Sequence, residues 1–190
     1  MTPWLQTRSG VRYDLLNPDP ASIVLADAAH AISCLARFTG HAREPYSVAQ
    51  HCVIGTRILA HEGHDAGVQR AYLLHDLHES VTGDVSSPVK RALCELFAGA
   101  LDDPWTEFEA RHADAFARRF GTPRTPPAAV KSMDLRMLAT EARDLMAFPP
   151  EPWMICPDFV PIEGLRISRC WAPSEARGYY LDECARLDVR

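Results

Sequence analysis

The stretch Leu73 to Lys90, LLHDLHESVTGDVSSPVK, constrains this chain more than any other. It carries His75, Asp76, His78, Glu79 and Asp84 among Leu73, Leu74, Leu77 and Val81. The apolar residues recur near helical spacing, which predicts a buried helix from Gly67 to Ser80, broken at Gly83. Ionisable groups buried on such a helix are costly unless they are paired or bind a metal. On a helix His75 and Glu79 lie one turn apart on one face, with Asp76 beside His75. An adjacent imidazole and carboxylate can address one cation, but a firmly held divalent metal needs more protein ligands than two.

Those further ligands must come from other helices. The chain is read as one domain over 1–190, with helical periodicity from Ala21 onward. Trp4 to Leu16 predicts a small β-hairpin around Ser9-Gly10, so residues 1–20 form an N-terminal extension. Helices are expected over Ala21–Phe38, ending before Gly40, and over Tyr46–His61 behind a Ser47 cap. Ser87-Pro88, Asp103-Pro104 and Thr125-Pro126 each read as the start of a helix, the last running to about Ala147. Prolines 149, 150, 152, 157 and 161 exclude a continuous helix over 149–168, which is therefore a long connection, and a final helix runs from Pro173 to about Leu187. The expected fold class is all-α.

Two isolated residues stand out on apolar faces. His51 lies among Val48, Cys52, Ile54 and Ile58; Asp134 lies among Val130, Met133, Met137 and Leu138. Singly, His51 is an ordinary core histidine and Asp134 an ordinary paired or capping carboxylate. Arg37, near the expected end of its helix, is favourable there on dipole grounds alone.

Together, His51, His75-Asp76 and Asp134 form an H…HD…D pattern on three expected helices, which resembles the HD-domain phosphohydrolases. The match is strongest over Arg37 to Lys90. Arg37-Phe38, Val48-Ala49-Gln50-His51, His75 through Glu79, Thr82-Gly83-Asp84 and Pro88-Val89-Lys90 are similar to bacterial 5′-deoxynucleotidases. The YSVAQH segment and the hairpin ending near LLNP also resemble small phage-associated deoxynucleoside triphosphate hydrolases.

The resemblance implies a compact HD-domain bundle of about six to seven helices. It implies that His51, His75, Asp76 and Asp134 bind one divalent transition metal. Imidazole and carboxylate ligands suit manganese, cobalt, iron, nickel or zinc. Glu79 would be the catalytic acid or base, and Arg37, Phe38, Asp84 and Lys90 would bind substrate. Arg124, Lys131 and Arg136 are candidate cations for a triphosphate tail. The activity implied is a 5′-nucleotidase on deoxynucleoside monophosphates; a triphosphohydrolase and a catalytically silent binding module are the alternatives. Two positions depart from the pattern: Phe38 where the deoxynucleotidases place Trp, and Gln50 where Glu is common.

Composition adds exclusions. A net charge of −5 argues against general nucleic-acid binding. No apolar run approaches the ~20 residues of a membrane span, and the N-terminus lacks a secretory pattern. Cys34, Cys52, Cys94, Cys156, Cys170 and Cys184 form no CxxC pair, which fits reduced thiols in a cytoplasmic protein. The Pro-rich connection is an expected place for contact in a homo-oligomer.

Overall fold

The computed structural model describes residues 2–97, 104–153 and 159–190. Its architecture is all-α with a two-stranded hairpin at the N-terminus. Strands β1 (Trp4–Gln6) and β2 (Arg12–Asp14) pair antiparallel, with Leu5 opposite Tyr13. The turn between them is closed by Gly10 at φ 87°, a conformation that costs glycine little. Asp27 of α1 (Leu25–Cys34) ties the turn to the bundle: it accepts from the Thr7 and Ser9 hydroxyls at 2.6 and 2.5 Å. Tyr13, almost wholly buried, crosses the core to share a 2.8 Å hydrogen bond with His112 Nδ1 on α6 (Pro104–Phe120).

Helix α2 (Val48–His61) is central, with α1, α3 (Ala66–Leu74), α7 (Ala128–Leu145) and α8 (Pro173–Arg186) packed around it. Its apolar face is continuous: Val48, Ala49, Cys52 and Val53 are all buried. The Ser47 hydroxyl caps it by accepting from Gln50 N, as its position in the sequence predicts. A four-residue turn α4 (Glu79–Thr82) and the peripheral α5 (Ser87–Leu96) complete the order. Among the described residues, seven helices of nine residues or more match the expected six to seven. Among the described residues no helix is long and apolar enough to cross a membrane.

Four helix limits differ from expectation. Helix α1 stops at Cys34, not Phe38, because the backbone turns away to pair with the segment before α2. Arg37 N donates to Tyr46 O at 2.8 Å, Val48 N to Leu35 O at 3.1 Å, and Ala36 bridges Ser47. Arg37 therefore lies on an extended segment rather than at a helix end, which removes the dipole account of its position. Gly40 sits instead in a tight turn just beyond Phe38 and Thr39, which themselves hold positive φ of 58° and 53°.

The helix carrying His75 also ends early, at Leu74. From there the backbone tightens: Leu77, Glu79, Ser80 and Val81 each donate to the carbonyl three residues back. That pattern stacks residues three apart rather than four. It sets Asp76 in line with Glu79, whereas the helical expectation set His75 there. Helix α5 begins behind Ser86 rather than Ser87, with Pro88 inside its first turn, and α7 begins at Ala128. The expected Asp103 cap lies outside the described residues, as does Cys156.

The connection after α7 makes no strand among the described residues. It is fastened by side chains: Thr140 Oγ1 accepts from Ile162 N at 2.9 Å, and Asp144 from Ile167 N at 2.8 Å. Gln50 holds its return, donating to Arg169 O at 2.9 Å and accepting from Trp171 N at 2.7 Å. A glutamate carboxylate could only accept, so the Gln50 departure has a structural use away from any metal chemistry.

Candidate metal centre

Four side-chain atoms converge where α2, the Leu74–Glu79 turn and α7 meet. His51 Nε2 is 3.3 Å from Asp134 Oδ1 and 3.8 Å from Asp76 Oδ2. His75 Nε2 is 3.1 Å from Asp76 Oδ2 and 3.8 Å from Asp134 Oδ1. A tetrahedron with metal–ligand bonds of about 2.0–2.1 Å has edges of about 3.3–3.4 Å. The separations straddle that value. His51, His75 and Asp76 form a group that could hold a metal ion.

The orientation of the rings supports the same use. His51 Nδ1 donates to Glu141 Oε1 at 2.6 Å, and His75 Nδ1 to the Tyr72 carbonyl at 2.6 Å. With both Nδ1 atoms protonated and turned outward, both Nε2 lone pairs face the cluster. The Tyr72 hydroxyl lies 3.1 Å from His51 Nε2. His75 Nε2 is buried and makes no hydrogen bond, despite the nearby carboxylates. An orphaned buried nitrogen beside two acidic oxygens is what a cation site leaves when described without its ion.

Electrostatics follow from burial and proximity. Burial and Arg37 push the His51 pKa down, but Glu141 and Asp134 outweigh them and hold it above the usual value. Burial likewise opposes protonation of His75, yet Asp76 and Asp134 carry it well above. Burial raises Asp76 and Asp134, but the two imidazoles beside them bring both below the ordinary carboxylate range. Metal uptake would release the protons the histidines hold.

The remaining expected residues fall around this cluster. Arg37, with its side chain only 11% exposed, gives Nε to Glu141 Oε2 at 3.0 Å and sets a terminal nitrogen 3.6 Å from Asp76. Phe38 packs beside the Arg37 guanidinium, 5.8 Å from its ring centre, and against Trp153 of the Pro-rich connection at 6.3 Å. Glu79 is buried, and its Oε2 has no partner. Burial, then the Asp76 and Asp84 carboxylates, raise its pKa well above the usual range. Asp84, past the Gly83 break, is raised by burial although Arg37 opposes it. Lys90 donates to Glu109 Oε1 on α6 at 2.6 Å, and His78 Nε2 lies 3.8 Å from the same oxygen. His78 thus joins the turn to α6. Arg136 gives both terminal nitrogens to Glu62, and Arg124 faces Asp114 at 3.5 Å.

Sequence reasoning missed Glu141, Tyr46 and Tyr72. Glu141 is wholly buried and accepts from His51, Arg37 and the Tyr46 hydroxyl at 3.0 Å. It lies seven residues after Asp134, on the same apolar side of α7. The criterion that singled out Asp134 would have found it.

Tyr72 depends on a glycine. A Cβ on Gly55 would fall 2.2 Å from the Tyr72 ring. Gly55→Ala would gain ~0.5–1 kcal/mol of helix propensity, but overpacking a closed core costs ~1–3 kcal/mol or more. The net expectation is a loss of stability in urea denaturation, with Tyr72 displaced from His51. A variant as stable as the native chain would show that the ring moves freely.

No protein-family model matches the chain. It is 34% identical over 188 residues to an uncharacterized protein of Rhodobacter capsulatus, covering 93% of this chain and 91% of that one. It is 30% identical over 186 residues to the uncharacterized protein YfdR of Escherichia coli K12, covering 94% and 92%. Over nearly its whole length, the chain belongs to the family that contains these two proteins.

Proposed function

We propose that the chain is a divalent-metal-dependent phosphohydrolase acting on deoxynucleotides, with 5′-nucleotidase action on monophosphates as its first activity. The observation that carries this is the convergence of His51, His75, Asp76 and Asp134 around an orphaned His75 nitrogen, with Arg37 and buried Glu79 alongside. The resemblance to HD-domain phosphohydrolases assigns those same residues to one site. The four would hold the metal, which when bound supplies Lewis acidity to a phosphoryl oxygen and to the attacking water.

The chain's own residues do the rest. Arg37 spends only Nε on Glu141, so its terminal nitrogens can take a phosphate oxygen pair. Glu79 carries a buried carboxyl oxygen without a partner, available to take a proton from water or give one to the leaving oxygen. Asp84 offers an acceptor for a sugar hydroxyl. Phe38 and Trp153 provide an apolar wall at the edge of the site. Arg136 spends both terminal nitrogens on Glu62, which leaves it poorly placed to serve a triphosphate tail and favours the smaller phosphate.

The test is a screen of deoxynucleoside mono- and triphosphates with manganese, cobalt, iron, nickel and zinc. Inorganic phosphate released from a monophosphate is expected with at least one metal. Release of inorganic triphosphate would move the activity to triphosphohydrolysis. Metal binding with no hydrolysis of any nucleotide would leave a binding module.

A further inference from the structure

We propose that Glu141 is a positioning residue that couples the phosphate-binding arginine to the metal-binding histidine. This rests on the phosphohydrolase reading for the role of Arg37, but not for the role of His51.

The geometry is asymmetric in a useful way. Glu141 Oε1 accepts from His51 Nδ1 at 2.6 Å and from the Tyr46 hydroxyl at 3.0 Å. Its other oxygen accepts from Arg37 Nε at 3.0 Å. One carboxylate therefore fixes two functional side chains by direct hydrogen bonds, whereas Asp76 Oδ2 approaches the same two only at 3.6 and 3.8 Å. It reaches them from α7, seven residues beyond Asp134, so the same helix supplies a ligand and the support for another.

The carboxylate is wholly buried. Its charge survives there because Arg37 and His51 lie against it, and burial alone would drive it toward the neutral acid. A buried carboxylate in that state is strongly committed to its donors. Removing it leaves Arg37 and His51 with unpaired N–H groups in a dry place.

The consequence for His51 is its tautomer. Holding the proton on Nδ1 keeps the Nε2 lone pair directed at the cluster. Outer partners of this kind typically change metal affinity by about 10–100-fold when lost. The consequence for Arg37 is direction: with Nε occupied, the terminal nitrogens face Asp76 and the space beside it.

The experiment compares the full native chain with Glu141→Gln. Manganese affinity is measured by calorimetric titration without nucleotide, and KM and kcat are measured at saturating manganese. Glu141→Gln is expected to weaken manganese binding at least tenfold and to raise KM more than it lowers kcat. Native manganese affinity in a folded Glu141→Gln chain overturns the proposal. Weakened binding, with no nucleotide hydrolysed by native or variant, supports the His51 half and overturns the phosphohydrolase reading instead. If Glu141→Gln does not fold, the native metal-free chain is read by nitrogen-15 NMR. His51 is expected as the Nδ1–H tautomer when neutral, with that proton shifted downfield by a short hydrogen bond; the Nε2–H tautomer overturns the proposal.

Discussion

Replacing His75 by alanine is expected to strip the protein of bound divalent metal and of hydrolytic activity together, while leaving the bundle folded. His75 contributes one of four converging atoms, and its Nε2 has no other use. A metal that stabilises transition-state charge is worth several kcal/mol, and at 1.36 kcal/mol per decade this corresponds to a fall in rate of about a thousandfold or more. Loss of the fold is the competing effect, and it is the smaller one. The His75 ring packs on the Tyr72 ring at 4.6 Å, but Leu73, Leu74 and Leu77 beside it carry the apolar burial. Its one hydrogen bond, to the Tyr72 carbonyl, is worth about 1 kcal/mol. Metal content after gel filtration, far-ultraviolet circular dichroism and the hydrolysis rate separate the effects. A His75→Ala chain that keeps native metal content would show that the site lies elsewhere.

The parts of this molecule that were legible in the sequence are those set by local periodicity and capping. Ser47 caps α2 because a hydroxyl there meets a free amide one turn on, and no distant residue is consulted. The end of α1 was not legible, because Leu35, Ala36 and Arg37 are drawn into pairing with Tyr46 to Val48 after the chain has turned back. The tightening after Leu74 was likewise hidden: a three-residue and a four-residue repeat differ little over five positions. In the site, His51 and Asp134 stood out as ionisable groups on apolar faces, and the resemblance to HD-domain phosphohydrolases joined them to His75 and Asp76 as a set. Glu141 obeyed the same rule and was passed over, since no pattern quoted for the resemblance includes it. Lys90 showed the reverse: its charge was visible, but its partner Glu109 sits on another helix and nothing local announces it.

Replacing Glu79 by glutamine is expected to separate catalysis from folding and from metal binding. Burial and the carboxylates of Asp76 and Asp84 hold the Glu79 pKa well above its ordinary 4.5, so the metal-free fold keeps this proton to higher pH than the unfolded chain does. Above pH 4.5 the unfolded chain releases this proton and the fold does not. Glu79 therefore contributes less to stability as pH rises, until the folded group also ionises. Glutamine has nearly the same shape and no proton to lose. In metal-free protein at pH 7, Glu79→Gln is expected to melt at or above the native temperature, and its advantage is expected to shrink as pH falls toward 4.5. Metal content is expected to stay native, because none of the converging ligand atoms has moved. Hydrolysis is expected to fall by about 10²–10⁴, the usual contribution of a positioned acid or base. Stability that stays or rises while the rate collapses is the signature of a group kept for chemistry at the expense of the fold. Glu79→Gln hydrolysing nucleotides at the native rate would assign the proton transfer to another residue.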